Sequence, residues 1–161
     1  MNSKLVLLSL AGFFSPYALA ELPEPAASTT ISCQGAHWPT QSEVAHYLQA
    51  GGYRIIPVNP GLAQKGEKVL GETPYADLEA AAKGLKEAGE ASIDMVDVFR
   101  KSEDVPPVAD QASAIGAKTL WLQLSIHHPE AEQKAAAAGL NVVSNKCTKI
   151  EHARRGIVRD V

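Results

Sequence analysis

Short, almost wholly apolar runs alternate along this chain with amphipathic stretches, and that alternation points to a fold class before any single residue does. The runs are Arg54–Val58 ("RIIPV"), Asp94–Phe99 ("DMVDVF"), Thr119–Gln123 ("TLWLQ") and Asn141–Ser144 ("NVVS"). They lack the polar/apolar alternation of a half-exposed strand, as expected where helices cover both faces of a parallel sheet. Strands separated by helical stretches form βαβ units, which close right-handed. The pattern predicts an α/β domain: a Rossmann-like, doubly wound parallel sheet of about five strands, order 3-2-1-4-5, with helices on both faces. The remaining strand, first in sequence, is expected just before the first helix, in "TTISCQG", Thr29 to Gly35.

Punctuation places the helices. Thr40 with Glu43 forms a capping box, Val44, Tyr47 and Leu48 then share one face, and Gly51-Gly52 stops the helix, which spans 41–50. Asp77 caps "LEAAAKGLKEAG", which Gly89 closes and Gly84 weakens from inside. Asp104 caps the next, because Pro106 and Pro107 suit first-turn positions whose N–H groups have no helical partner. Pro129 opens the last, which runs to Ala138 ahead of Gly139. At Asn59-Pro60-Gly61 the second strand must end, since Pro60 forces its neighbour out of the helical region and lacks a donor.

The N-terminus reads differently. "MNSKLVLLSLAGFFSPYALA" carries Lys4, an apolar run from Leu5 to Phe14, and Ala18-Leu19-Ala20, the pattern of a cleavable secretory leader. The run is too short for a membrane-spanning helix. "ELPEPAAS" follows as a tether. The expected organisation is a leader at 1–20, a tether at 21–28, one domain at 29–152 and a tail at 153–161.

A length of 161 residues fits a single domain. A formal net charge of -3 and a pI near 5.9 give no basic footprint for nucleic acid, so partners are expected to be small molecules. Cys33 and Cys147 form neither a disulfide framework nor a C-x-x-C pair, and no metal site is expected.

In an open α/β sheet, ligands bind beyond the carboxyl ends of the strands. The segments there are "GAHWPTQS", "NPG", "RKSED", "LSIHH" and "NKC", which contain no triad or acid/base pair. Gly35 could let backbone N–H groups approach a phosphate at the first helix, or could simply form a tight turn; a G-x-G-x-x-G fingerprint is absent. Asn59 could face a ligand or bond within its own loop, and neutral Asn with rigid Pro60 argues against ordinary NAD ribose recognition. Adjacent His127 and His128 cannot chelate as an i, i+4 pair would, and His46 and His152 read as solvated. His37 alone merits a functional test. Cys147 has no neighbouring base, Trp121 reads as packed, and Gln123, at a strand end, has the better functional claim.

"GYRIIPVNPG", "DMVDVFRKSEDVPPVADQASAIGAKTLWLQ" and "AAAAGLNVVSNKC" strongly resemble the small stand-alone CoA-binding-domain proteins, related to the CoA-binding domain of succinyl-CoA synthetase alpha subunits. The resemblance covers about residues 42 to 150. It implies a fold that holds the ADP part of coenzyme A, with no catalytic residues. It further implies cofactor contacts from Gly35 and Ala36, from His37 where the family has Ser, and from Ser42, Asn59, Pro60, Phe99, Arg100 and Gln123. Pro39, Ser102 and Trp121 also match, Ser125 replaces a usual Gly, and Asn145 and Cys147 stand where the family often has Asp-Arg-Cys. The implied function is non-catalytic binding of coenzyme A or an acyl-CoA. Because departures cluster at the phosphate loop, the alternative is an interaction or structural protein that kept the fold and lost its ligand. Such a cofactor implies a cytoplasmic location, whereas the leader pattern alone implies export.

Overall fold

The computed structural model of the chain describes residues 5–10, 40–89 and 93–156. Its elements are β1 (Leu5–Leu10), α1 (Gln41–Ala50), β2 (Arg54–Val58), α2 (Pro60–Lys65), α3 (Leu78–Glu87), β3 (Met95–Phe99), a 3-10 turn (Ser102–Asp104), α4 (Val105–Ala114), β4 (Thr119–Leu122), α5 (Pro129–Ala137), β5 (Asn141–Val143) and α6 (Thr148–Arg154). The strands pair in parallel in the order β2-β1-β3-β4-β5. An α/β fold with a parallel sheet is thus observed as expected.

The first strand is not where the sequence pattern put it. Leu5–Leu10, read as part of a leader, forms β1 between β2 and β3, with Leu8 opposite Pro57 on one side and Asp97 on the other. "LVLLSL" supplies the Leu/Val run that a central parallel strand requires. "TTISCQG" lies outside the described residues. A leader and a buried strand share one signal, a short apolar run, and only pairing with distant strands separates them.

The strand order is also corrected. β3 lies beside β1, giving 2-1-3-4-5 in place of 3-2-1-4-5. The reason is the face each helix takes. Val44, Ala45 and Leu48 of α1 pack on one side of the sheet with Ile55 and Cys147, while buried residues of α3, α4 and α5 pack on the other with Ile56, Val96, Val98, Leu120 and Leu122. Right-handed crossovers on opposite faces travel in opposite directions, so α3 carries the chain back past β1. Pro57 carried a hint: with no N–H to donate, proline belongs on an edge strand. That edge is covered by the following segment, where the Tyr75 N–H donates to the Pro57 carbonyl at 3.0 Å and the Asn59 N–H to the Tyr75 carbonyl at 2.8 Å. Such cover blocks edge-to-edge pairing.

Local chemistry explains the helix ends. The Thr40–Glu43 capping box is present as expected. Asp77 caps α3 by accepting from the Ala80 N–H at 2.7 Å. Asp104 takes the cap position of α4 without a side-chain hydrogen bond, because the 3-10 turn already leads into the helix. Gly84 inside α3 has a packing reason: a Cβ there would lie 2.5 Å from the Tyr75 hydroxyl oxygen. The C-terminal segment continues as α6 to Arg154, and no helix among the described residues is long and apolar enough to cross a membrane.

Candidate functional site

Connections from β1 and β3 lead in opposite directions, toward β2 and β4 respectively, so the switch point at which open α/β sheets bind ligands, the candidate crevice, is the one between the carboxyl ends of β1 and β3. The first turn of α1 reaches this place. Gln41 Nε2 donates to the Phe99 carbonyl at the end of β3, at 3.3 Å, and Arg100 follows, half-buried. A helix N-terminus here favours anions. It already holds one from its own chain, because the Glu43 carboxylate accepts from the Thr40 N–H at 2.6 Å. Ser42 sits half-buried in the same turn. Gly35, Ala36 and His37 lie outside the described residues.

The other residues singled out from sequence have defined places. Asn59 is the N-cap of α2, its Oδ1 accepting from the Leu62 N–H at 3.1 Å, and Pro60 opens that helix. "NPG" is therefore a helix start at the end of β2, and of the two alternatives for Asn59 the structure shows the bond within its own segment, made as a helix cap. His128 caps α5, with Nδ1 accepting from the Ala131 N–H at 3.3 Å. Trp121 donates from Nε1 to the Lys146 carbonyl at 2.6 Å. Beyond β4 and β5, Ser125 and Asn145 both adopt left-handed backbone, φ 63 and 52, and Asn145 Oδ1 accepts from the Ser125 N–H at 2.8 Å. The His127 N–H donates to Ser102 Oγ at 3.1 Å, so the loops after β3, β4 and β5 are tied together at one edge.

Gln123 turns inward. It is 5% exposed, and its Nε2 donates to Asp97 Oδ1 and to Thr148 Oγ1, each at 2.7 Å. Thr148 Oγ1 donates in turn to Asp97 Oδ2 at 2.9 Å, closing a ring that joins β3, the end of β4 and the start of α6. Burial pushes the Asp97 carboxyl up to about 7, opposed by the hydrogen bonds from Gln123 and Thr148. Desolvation disfavours the charged form more than two neutral donors favour it. The sequence reading missed Asp97 and Thr148, although one signal was legible: a carboxylate in the middle of "MVDVF" has no apolar use and needs partners.

Two further groups lie on this face. The Cys147 thiol is buried at the N-cap of α6, and burial pushes its pKa up, keeping it in the unreactive protonated form. His152, expected to be solvated, instead packs edge-on against Tyr47 and Tyr53, with Nδ1 3.1 Å from the Tyr47 hydroxyl. It lies on the inner side of α6, where burial lowers its pKa. Among the described residues no three His, Cys, Asp or Glu side chains cluster to hold a metal ion.

A family model described as a CoA binding domain matches residues 38–153, from just before α1 to the last turn of α6. The chain belongs to the CoA-binding-domain family. Within the family it is 35% identical to the uncharacterized protein YneT of Bacillus subtilis over 114 residues, which span 71% of this chain and 76% of the relative. Among solved structures it is similar to the Thermus thermophilus protein cell-free ID.343, with a TM-score of 0.67 and 26% identity over 94% of this chain and 90% of that one. A hypothetical protein from Pyrococcus horikoshii is similar with a TM-score of 0.61 and 29% identity, over 94% of this chain and 82% of that one. The family is one of ligand-binding domains, and a small molecule is the partner that it implies.

Proposed function

We propose that the protein binds coenzyme A, or an acyl-CoA, through its ADP moiety and does so without catalysing a reaction. The observation that carries this reading is the family match over residues 38–153, which includes every described segment bordering the crevice except β1. In this reading Gly35, Ala36 and His37 meet the pyrophosphate together with the first turn of α1 and Ser42. Asn59 and Pro60 border the adenosine from the end of β2. Phe99 forms the lip, and Arg100 pairs with a phosphate. Glu43 already supplies negative charge to the helix N-terminus, so more of the ligand's charge falls to Arg100 and Lys101. Gln123 acts from beneath, through Asp97 and Thr148.

A cytoplasmic location follows from the cofactor, and the structure is consistent with it. Removal of residues 1–20 as a leader would take away β1 and leave β2 and β3 without the strand between them.

The test is isothermal titration of coenzyme A into the full chain, with dephospho-CoA and NAD as comparators. Saturable binding that prefers coenzyme A is expected. No binding to a protein that still melts cooperatively would sink the proposal and favour an interaction protein that has lost its ligand. Thermal shift at saturating ligand is an independent readout, because a ligand that binds only the folded state raises Tm.

A further inference from the structure

Below the crevice lies a carboxylate whose partners are all neutral. Asp97 is 0% exposed, and its two oxygens accept from Gln123 Nε2 and Thr148 Oγ1. Gln123 spends its second Nε2 hydrogen on Thr148 Oγ1. Every hydrogen in the ring therefore has an acceptor when Asp97 is ionised. A proton on Asp97 adds one hydrogen to this arrangement, so the ring must be reset: either the Thr148 hydroxyl turns away or the Gln123 amide turns over to present Oε1 as an acceptor.

The surroundings supply no compensating cation among the described residues. From α6 the nearby ionisable groups are the Cys147 thiol, which feels the Asp97 charge, and Lys149, which acts on that thiol. His152 lies farther along α6 against Tyr47 and Tyr53. α1 presents Val44, Ala45 and Leu48 to this side, and β3 itself presents Met95 and Phe99. The β1 sequence "LVLLSL" contains no ionisable residue.

We propose that Asp97 is a proton-linked positioning residue for the crevice: a phosphate-bearing ligand bound there draws a proton onto Asp97 and resets the Gln123–Thr148 ring at the foot of α6. The inference rests on the reading of the crevice given above. The connection is short. Asp97 is two residues from Phe99, whose carbonyl holds the first turn of α1, and Gln123 stands just past the end of β4 at the same edge. Negative charge brought near a group in a low-dielectric interior favours its neutral form. Without ligand the carboxyl titrates at about 7, so slightly above neutrality it is mostly ionised and has a proton to take up.

The experiment titrates the full chain with coenzyme A at about pH 7.5 in two buffers of different ionisation heat, which yields the number of protons exchanged on binding. Uptake on the order of half a proton per chain is expected. It should persist with dephospho-CoA, which lacks the 3′-phosphate that itself titrates near this pH. In Asp97→Asn, whatever its affinity, the binding that remains should carry no proton uptake. Thr148→Val, which removes a donor to the carboxylate, should move maximal uptake to higher pH, and this variant keeps the test open should Asp97→Asn not fold. Binding without uptake, or uptake unchanged in Asp97→Asn, overturns the proposal and leaves the reading of the crevice standing. Absence of any binding heat overturns both.

Discussion

On one side of the sheet, α3, α4 and α5 pack only apolar side chains against Ile56, Val96, Val98, Leu120 and Leu122; on the other, α1 and α6 share their core with Asp97, Gln123, Thr148 and His152. The apolar face gains from area removed from water, and each fully buried Leu or Val there contributes about 1.5–3 kcal/mol. The polar face gains less from area and more from direction, because a closed hydrogen-bond ring is satisfied in one arrangement of β3, β4 and α6. One face holds the sheet together, and the other holds the groups that respond to charge. The crevice borders the second, since α1 starts at the end of β3 and α6 starts over Asp97.

Four perturbations would break or sharpen this contrast. The largest removes what both faces share. A chain lacking residues 1–20 loses β1 from between β2 and β3, and its circular dichroism melt should show no cooperative transition. A cooperative melt near that of the full chain would show that β1 is dispensable. Next, Leu120→Ala on the apolar face should cost about 2–5 kcal/mol in urea unfolding, with no change in how stability depends on pH.

Asp97→Asn probes the polar face through pH. The folded state raises the carboxyl from 3.8 to about 7, so between those values it holds a proton that the unfolded chain has released. Stability from this group is full below about pH 4 and is lost as pH rises to 7, by about 1.4 kcal/mol per unit. His152 works in the opposite sense: its pKa is lowered on folding, so its contribution is present above 6.5 and is lost as pH falls below it. In Asp97→Asn the falling slope between pH 5 and 7 should vanish, leaving only the acid-side loss from His152. Urea midpoints across that range would read it, and a wild-type slope retained in the variant would remove Asp97 from the account.

The smallest effect separates capping from binding. Asn59→Ala removes the acceptor for the Leu62 N–H and should cost about 1 kcal/mol of stability. If Asn59 also borders the adenosine, affinity for coenzyme A falls beyond what an equally destabilised variant elsewhere shows; equal affinity would leave it a cap alone.

The site was legible only where chemistry is local. Thr40 with Glu43 announced the start of α1, and the end of β2 at Asn59-Pro60 was clear because proline's restrictions act on its neighbour. Gln123 was picked out as a polar residue at a strand end, but its direction was not, because its partners are 26 and 25 residues away. Asp97 passed as one residue of an apolar run. His152 read as solvated because nothing in "KIEHARR" reveals that α6 lies against Tyr47 and Tyr53.

Sequence by itself determined β2 to β5, α1, α3, α4 and α5, the caps at Thr40 and Asp77 and the parallel α/β class, which rest on periodicity and on contacts within a few residues, and its motifs carried the family. Tertiary structure decided that Leu5–Leu10 is an interior strand between β2 and β3, that β3 returns past β1, and that Asp97, Gln123 and Thr148 close a ring. Those outcomes depend on which face of the sheet each helix covers. An apolar stripe shows that a helix must be buried, but it carries no mark of the side on which burial happens.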